Sequence, residues 1–217
     1  MTETLPLPQF AHRLDAPDPS DKQPKLAAPL VNWHRRLTAR GDASGDKRDR
    51  GANKALRARL KRCAAPGEVL FLPGFQTLFH ALYPDPAMRA AAVADRRIVA
   101  GLARFAILAA RVDQDKADTG ATLGRQMVGR DIETPVVSEL RARTLLMTAD
   151  ADEALTRWQR LIPLFASQGV NLPQLARAVM RWHEEDTRRQ LSFAYFAARA
   201  TPPRDDDSAR QPEAAET

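Results

Sequence analysis

The chain has 217 residues, 44% of them hydrophobic, with 33 Lys and Arg against 27 Asp and Glu, a formal net charge of +6 and a pI near 10. That length supports one domain or two small ones with a buried core, and the basic balance points to a polyanionic partner. The single cysteine, Cys63, excludes an intrachain disulfide and a four-cysteine zinc site and fits a reducing cytoplasm, while no apolar run approaches the roughly 20 residues of a membrane span.

Residues 1–29 hold Pro6, Pro8, Pro17, Pro19, Pro24 and Pro29 and read as an irregular extension. Met1 to Ser20 lacks the basic start and apolar core of a secretory signal. From residue 30 the apolar spacing is helical. Val31, Trp33 and Leu37 open a short first helix, and Ala52, Leu56, Leu60 and Cys63 recur at three- and four-residue steps. Ile98, Leu102, Phe105, Ala109 and Val112 do the same, as do Leu155, Trp158, Ile162 and Phe165, and then Leu175, Val179 and Trp182. Each set fits one face of a 3.6-residue period. Asp150 or Asp152 is placed to cap the Trp158 helix and Asn171 the Trp182 helix, with Pro173 early enough to be tolerated. Sustained alternation of β-branched residues is absent, so the expected fold is all-α: two small helical bundles between irregular ends. The expected organisation is an extension (1–29), an N-terminal bundle (30–112), a glycine-containing connector (113–130), a C-terminal bundle (131–200) and an acidic, Pro-containing tail (201–217).

Groups able to converge on a reaction are scarce. None of His12, His34, His80 and His183 stands four residues from another, so no helical zinc pair is present. The run His183-Glu184-Glu185-Asp186 reads as an exposed charged turn, because consecutive helical residues point in different directions. Cys63 shares a stripe with Leu56 and Leu60 and reads as a buried, inert thiol. Gly120-Ala121-Thr122-Leu123-Gly124 is followed by no Gly-Lys-Ser/Thr and is not a phosphate loop. Trp33, Trp158 and Trp182 read as core. Neither catalysis nor a cofactor or metal is expected.

The densest feature is cationic. Between Arg35 and Arg62 stand eleven Lys and Arg, opposed only by Asp42, Asp46 and Asp49. At about 100° per residue, Arg50, Lys54, Arg57 and Lys61 share one sector away from Leu56 and Leu60. Their mutual repulsion would be relieved by phosphates along a strand. Arg97, Arg104 and Arg111, seven apart, are expected to project together opposite the Leu102–Phe105 face. Lys116 and Arg125 follow in the connector, and Arg141, Arg143, Arg157 and Arg160 lie on later helices. Contacts to phosphates rather than to base edges are expected.

The order of motifs carries a resemblance: Trp33, then Leu60-Lys61-Arg62-Cys63, Pro66-Gly67-Glu68, Leu72-Pro73-Gly74-Phe75, Thr122-Leu123-Gly124-Arg125, Glu139-Leu140-Arg141, Arg157-Trp158-Gln159-Arg160-Leu161, and Phe193-Ala194-Tyr195-Phe196. Over Leu30 to Ala198 this resembles the CasB family, the small subunit of the type I-E CRISPR surveillance complex Cascade. The resemblance implies a non-catalytic cytoplasmic subunit with two helical bundles. It implies two copies lying head to tail beside the backbone and large subunits of a crRNA-guided complex. Its basic face would support the target strand and the displaced strand, stabilising the R-loop. By resemblance Lys61 and Arg62 match the family's paired basic residues, and Arg96 or Arg97, Lys116 and Arg160 its other basic positions. The expected contacts are therefore Lys54, Arg57, Lys61, Arg62, Arg96, Arg97, Arg111, Lys116, Arg141 and Arg160. A free-standing helical DNA-binding regulator is the alternative; it would need a short helix bearing base-reading side chains.

Overall fold

The computed structural model describes residues 28–39, 47–116 and 120–201. The expectations for residues 1–27, 202–217 and Arg40, and for the side chains of Lys47, Arg48 and Arg50, lie outside that description. Eleven α-helices and no strand occur among the described residues: α1 (Ala28–Thr38), α2 (Lys47–Arg62), α3 (Pro66–Val69), α4 (Pro73–Leu82), α5 (Pro86–Ala94), α6 (Arg96–Ala109), α7 (Leu123–Val128), α8 (Glu139–Leu146), α9 (Ala151–Phe165), α10 (Leu172–Met180) and α11 (Glu185–Ala200). The chain is all-α, as the periodicity predicts.

Local chemistry sets the helix starts. Pro66, Pro73 and Pro86 open α3, α4 and α5 at positions where a missing N–H costs nothing. The Asp150 carboxylate accepts from the N–H groups of Asp152 and Glu153 at 3.0 and 2.8 Å, and Asn171 Oδ1 accepts from Gln174 N at 3.1 Å. Of the two candidate caps for α9, Asp150 is therefore the one used.

At the centre stands α6, which packs against α2, α3, α4, α5, α9 and α10. From Gly101 to Ala110 every residue except Arg104 is buried. Its small residues allow close approach: a Cβ on Gly101 would stand 2.9 Å from Met180 Cα of α10. A second close crossing joins α7 to α11, where a Cβ on Gly124 would meet the Ala194 carbonyl carbon at 2.5 Å. The segment 113–130 is tied down at both ends. Lys116 N donates to Val170 O and Val170 N to Gln114 O, at 3.0 and 2.9 Å, and α7 buries Leu123, Met127 and Val128. Helices on either side of this segment share one core that runs from Leu30 to Ala198.

All three tryptophans are buried. Trp33 donates to Gly74 O at 2.9 Å and Trp182 to Thr148 O at 2.8 Å, and Trp158 meets Trp182 edge to face at 5.9 Å. They are core side chains and do not form a stacking platform.

Candidate nucleic-acid interface

The last two turns of α2 set the geometry. Leu60 is fully buried and Leu56 half-buried, and this anchors the helix with Lys54, Arg59, Lys61 and Arg62 exposed. None of these four makes an ion pair among the described residues. The carbonyl end of a helix favours cations, so the cluster suits the helix as well as an incoming anion. Partial burial first, then the Arg57 guanidinium, lowers the Lys61 pKa, with Arg111 adding to the effect and Asp113 opposing it. The crowding of positive charge expected from the sequence is present at this point.

Arg57 departs from expectation. It is turned inward, its side chain only 17% exposed, with Nε donating to Ala110 O at 2.9 Å and Nη2 to Val112 O at 3.0 Å and to the Asp113 carboxylate at 2.7 Å. Those carbonyls follow directly on the end of α6, and the fork of a guanidinium suits them. Arg57 stands only about 60° from the buried Leu60 on the helical wheel, close enough to reach past the edge of the core. Replacing Lys54, Arg57 and Lys61 together is therefore not a neutral surface change.

Arg111 returns the same service. Just beyond α6, its Nη1 donates to Ile107 O at 2.7 Å and its Nη2 to Lys61 O at 2.5 Å, closing the end of α2. Each of the two helices is thus capped by an arginine from the other's neighbourhood. The expected row of Arg97, Arg104 and Arg111 is broken up by the same packing. Arg97 is exposed, Arg104 is held by Asp152 at 2.9 Å with its side chain 15% exposed, and Arg111 is half-buried. A helix that is apolar nearly all round is a core helix with no outer face.

The remaining expected residues are spread over the molecule. Arg160 is exposed on α9, one residue from Gln159, whose side chain donates to Cys63 O at 3.2 Å; this brings α9 to the cationic end of α2. Arg96 and Arg97 are exposed at the opposite end of α6, about 21 Å from Arg111 at 1.5 Å per residue. Lys116 is half-buried, and Arg141 is exposed on α8, which packs against α9 and α11. Arg59 and, on α1 beside α2, Arg35 and Arg36 are also exposed and lie outside the expected contact set. Their membership of the basic run was the available signal.

Cys63 donates its thiol to Arg59 O at 3.3 Å, and burial pushes its pKa up, away from the reactive thiolate. Among the described residues no group of three His, Cys, Asp or Glu could hold a metal ion, and no helix is long and apolar enough to cross a membrane.

A family model described as CRISPR-associated protein Cse2 matches residues 56–196, about two thirds of the chain, from the middle of α2 into α11. Nothing matches among curated proteins or among solved structures.

Proposed function

The chain belongs to the CRISPR-associated Cse2 family, whose members are subunits of Cascade, and from that premise we propose that it binds nucleic-acid backbones without catalysis and stabilises the R-loop. Its partners are the backbone and large subunits, the target and displaced strands, and a second copy of itself, within the cytoplasm. The halves 30–112 and 131–200 each face a length of strand, with 113–130 between them.

The observation that carries this reading is the cluster Lys54, Arg59, Lys61 and Arg62 at the end of α2, exposed and without an ion pair among the described residues, with Gln159 of α9 bonded to Cys63 O beside it. Cations without carboxylate partners hold counterions that a strand can release, and strand exchange is balanced closely enough for modest backbone contacts to tip it. Phosphate contacts position a strand without reading its bases, so sequence preference is not expected.

The test replaces Lys54, Lys61 and Arg62 by Ala and leaves Arg57 in place. Affinity for single-stranded DNA, measured across a salt series, should fall alike for all sequences. The salt slope should decrease by about two units, at roughly 0.7 per lost phosphate contact. In assembled Cascade, R-loop lifetime should shorten while guide RNA is retained. Removing residues 1–25 or 203–217 should matter less. A triple variant with the wild-type salt slope would show that the cluster is only a solvated face.

A further inference from the structure

At the far end of α6 from the arginine pair, an open groove of about 270 Å³ lies between α6 and the turn joining α10 to α11. Arg96, Arg97, Arg104 and His183 line it, with Met180 and Trp182 among its apolar lining. Part of that charge is already satisfied. Arg104 is held by Asp152, and Arg181 at the edge is held by Glu184 at 2.6 Å. Glu184 also lies 3.8 Å from His183 Nε2, and Asp95 accepts from Arg97 N at 2.8 Å as the cap of α6. The side chains of Arg96 and Arg97 are exposed and make no ion pair among the described residues.

We infer that this groove seats one phosphate group of a nucleic-acid strand, held by Arg96 and Arg97 with His183 as third donor. The inference rests on the interface reading above and gives it a second anchor, about 21 Å along α6 from Arg111, whose side chain reaches Lys61 O. Two guanidinium forks and an imidazole supply enough N–H groups for the several acceptor oxygens of a phosphodiester. The apolar lining offers no competing side-chain donor except the Trp182 indole, which is already bonded to Thr148 O.

His183 makes the seat sensitive to pH. The charges that act on it are Asp95 and Arg97 on the α6 side and Arg181 and Glu184 around the turn, and Arg96 and Arg104, the latter paired with Asp152, share the groove. Burial lowers its pKa first; Glu184 raises it, Arg97 lowers it, Asp95 raises it and Arg181 lowers it. The unliganded imidazole is therefore biased towards the neutral form. A phosphate oxygen beside the ring favours the imidazolium, so binding takes up a proton and affinity rises as pH falls. Among these side-chain types only imidazole ordinarily titrates between about pH 6 and 8.

The experiment uses the full chain and labelled oligothymidylate at constant ionic strength, at about pH 6 and about pH 8. Wild type should bind roughly three- to tenfold tighter at the lower pH, tenfold corresponding to one unit of pKa change. His183→Gln should bring that ratio close to one. Arg97→Gln should weaken binding and shrink the ratio, whereas Lys61→Ala should weaken binding at both pH values with the ratio intact. In a histidine-resolved NMR titration the His183 midpoint should move upward on adding oligothymidylate. A pH ratio unchanged by His183→Gln overturns the seat and leaves the interface reading standing. Absence of strand binding at every pH overturns both. A His183 that responds to inorganic phosphate and not to the strand overturns its assignment to nucleic acid.

Discussion

Replacing Arg57 by Ala separates the two tasks that cations perform in this molecule. The change removes three hydrogen bonds from a side chain 17% exposed: those to Ala110 O, Val112 O and Asp113. Hydrogen bonds from a charged donor contribute roughly 1.5–3 kcal/mol each. Here the sum is reduced, because Val112 O keeps His34 Nε2 at 3.1 Å and because the Asp113 side chain is 43% exposed. The expected loss is about 2–4 kcal/mol, the cost of taking the Ala110 carbonyl's partner away together with the charged bonds to Val112 O and Asp113. For a protein of this size that lowers Tm by roughly 5–15 °C, at about 2–4 °C per kcal/mol. Lys54→Ala, on the same helix but exposed, should stay within about 0.5 kcal/mol of wild type. Urea denaturation and thermal melting followed by circular dichroism read both variants directly. If Arg57→Ala melts with Lys54→Ala and loses only DNA affinity, Arg57 is a strand contact and its carbonyl bonds are incidental.

Three further outcomes follow from named contacts. His34 is buried and its pKa is lowered, by burial first; the unfolded chain therefore binds more protons below about pH 6.5, and stability should fall as pH drops from there towards the folded value. His34→Gln should flatten that part of the urea midpoint against pH, and an unchanged profile would remove His34 from the account. Gly124→Ala forces a Cβ against the α11 backbone and should cost about 1–3 kcal/mol by the same denaturation assay; a neutral result would mean that α7 and α11 separate easily. Tyr195→Phe removes a 2.7 Å bond from its hydroxyl to Val137 O and should cost about 1–2 kcal/mol, which a melt indistinguishable from wild type would contradict.

The parts of the fold that depend on near neighbours were legible in the sequence. The Trp158 stripe, the caps at Asp150 and Asn171 and the burial of Cys63 follow from near neighbours in the chain, whereas Trp182, expected on one helix with Leu175 and Val179, lies in the turn just after α10. The region 64–95 carries no clear helical stripe, because α3, α4 and α5 are short and open on prolines, which also read as turns. The helical wheel sets Arg57 nearer to Leu60 than Lys54, but the carbonyls that draw it inward lie at the end of α6, more than fifty residues along the chain. Arg104 and Arg111, expected to project with Arg97, are held against the fold for a related reason. A 3.6-residue stripe was visible in α6, but so were Gly101, Ala103 and Ala110 on its other sides. Small residues around the whole circumference are the sign of a helix enclosed by partners.

The reciprocal pair Arg57 and Arg111 has a dynamic consequence. Helix ends ordinarily fray, and side chains carried there wander. The last turn of α2 bears Lys61 and Arg62, yet its carbonyl at Lys61 is held by Arg111, while α2's own Arg57 holds the end of α6. Neither terminus can open without breaking bonds at the other. Amide exchange at the two ends should therefore proceed as one cooperative event, and an anion meeting Lys61 finds a backbone that is already ordered and loses correspondingly little entropy on binding.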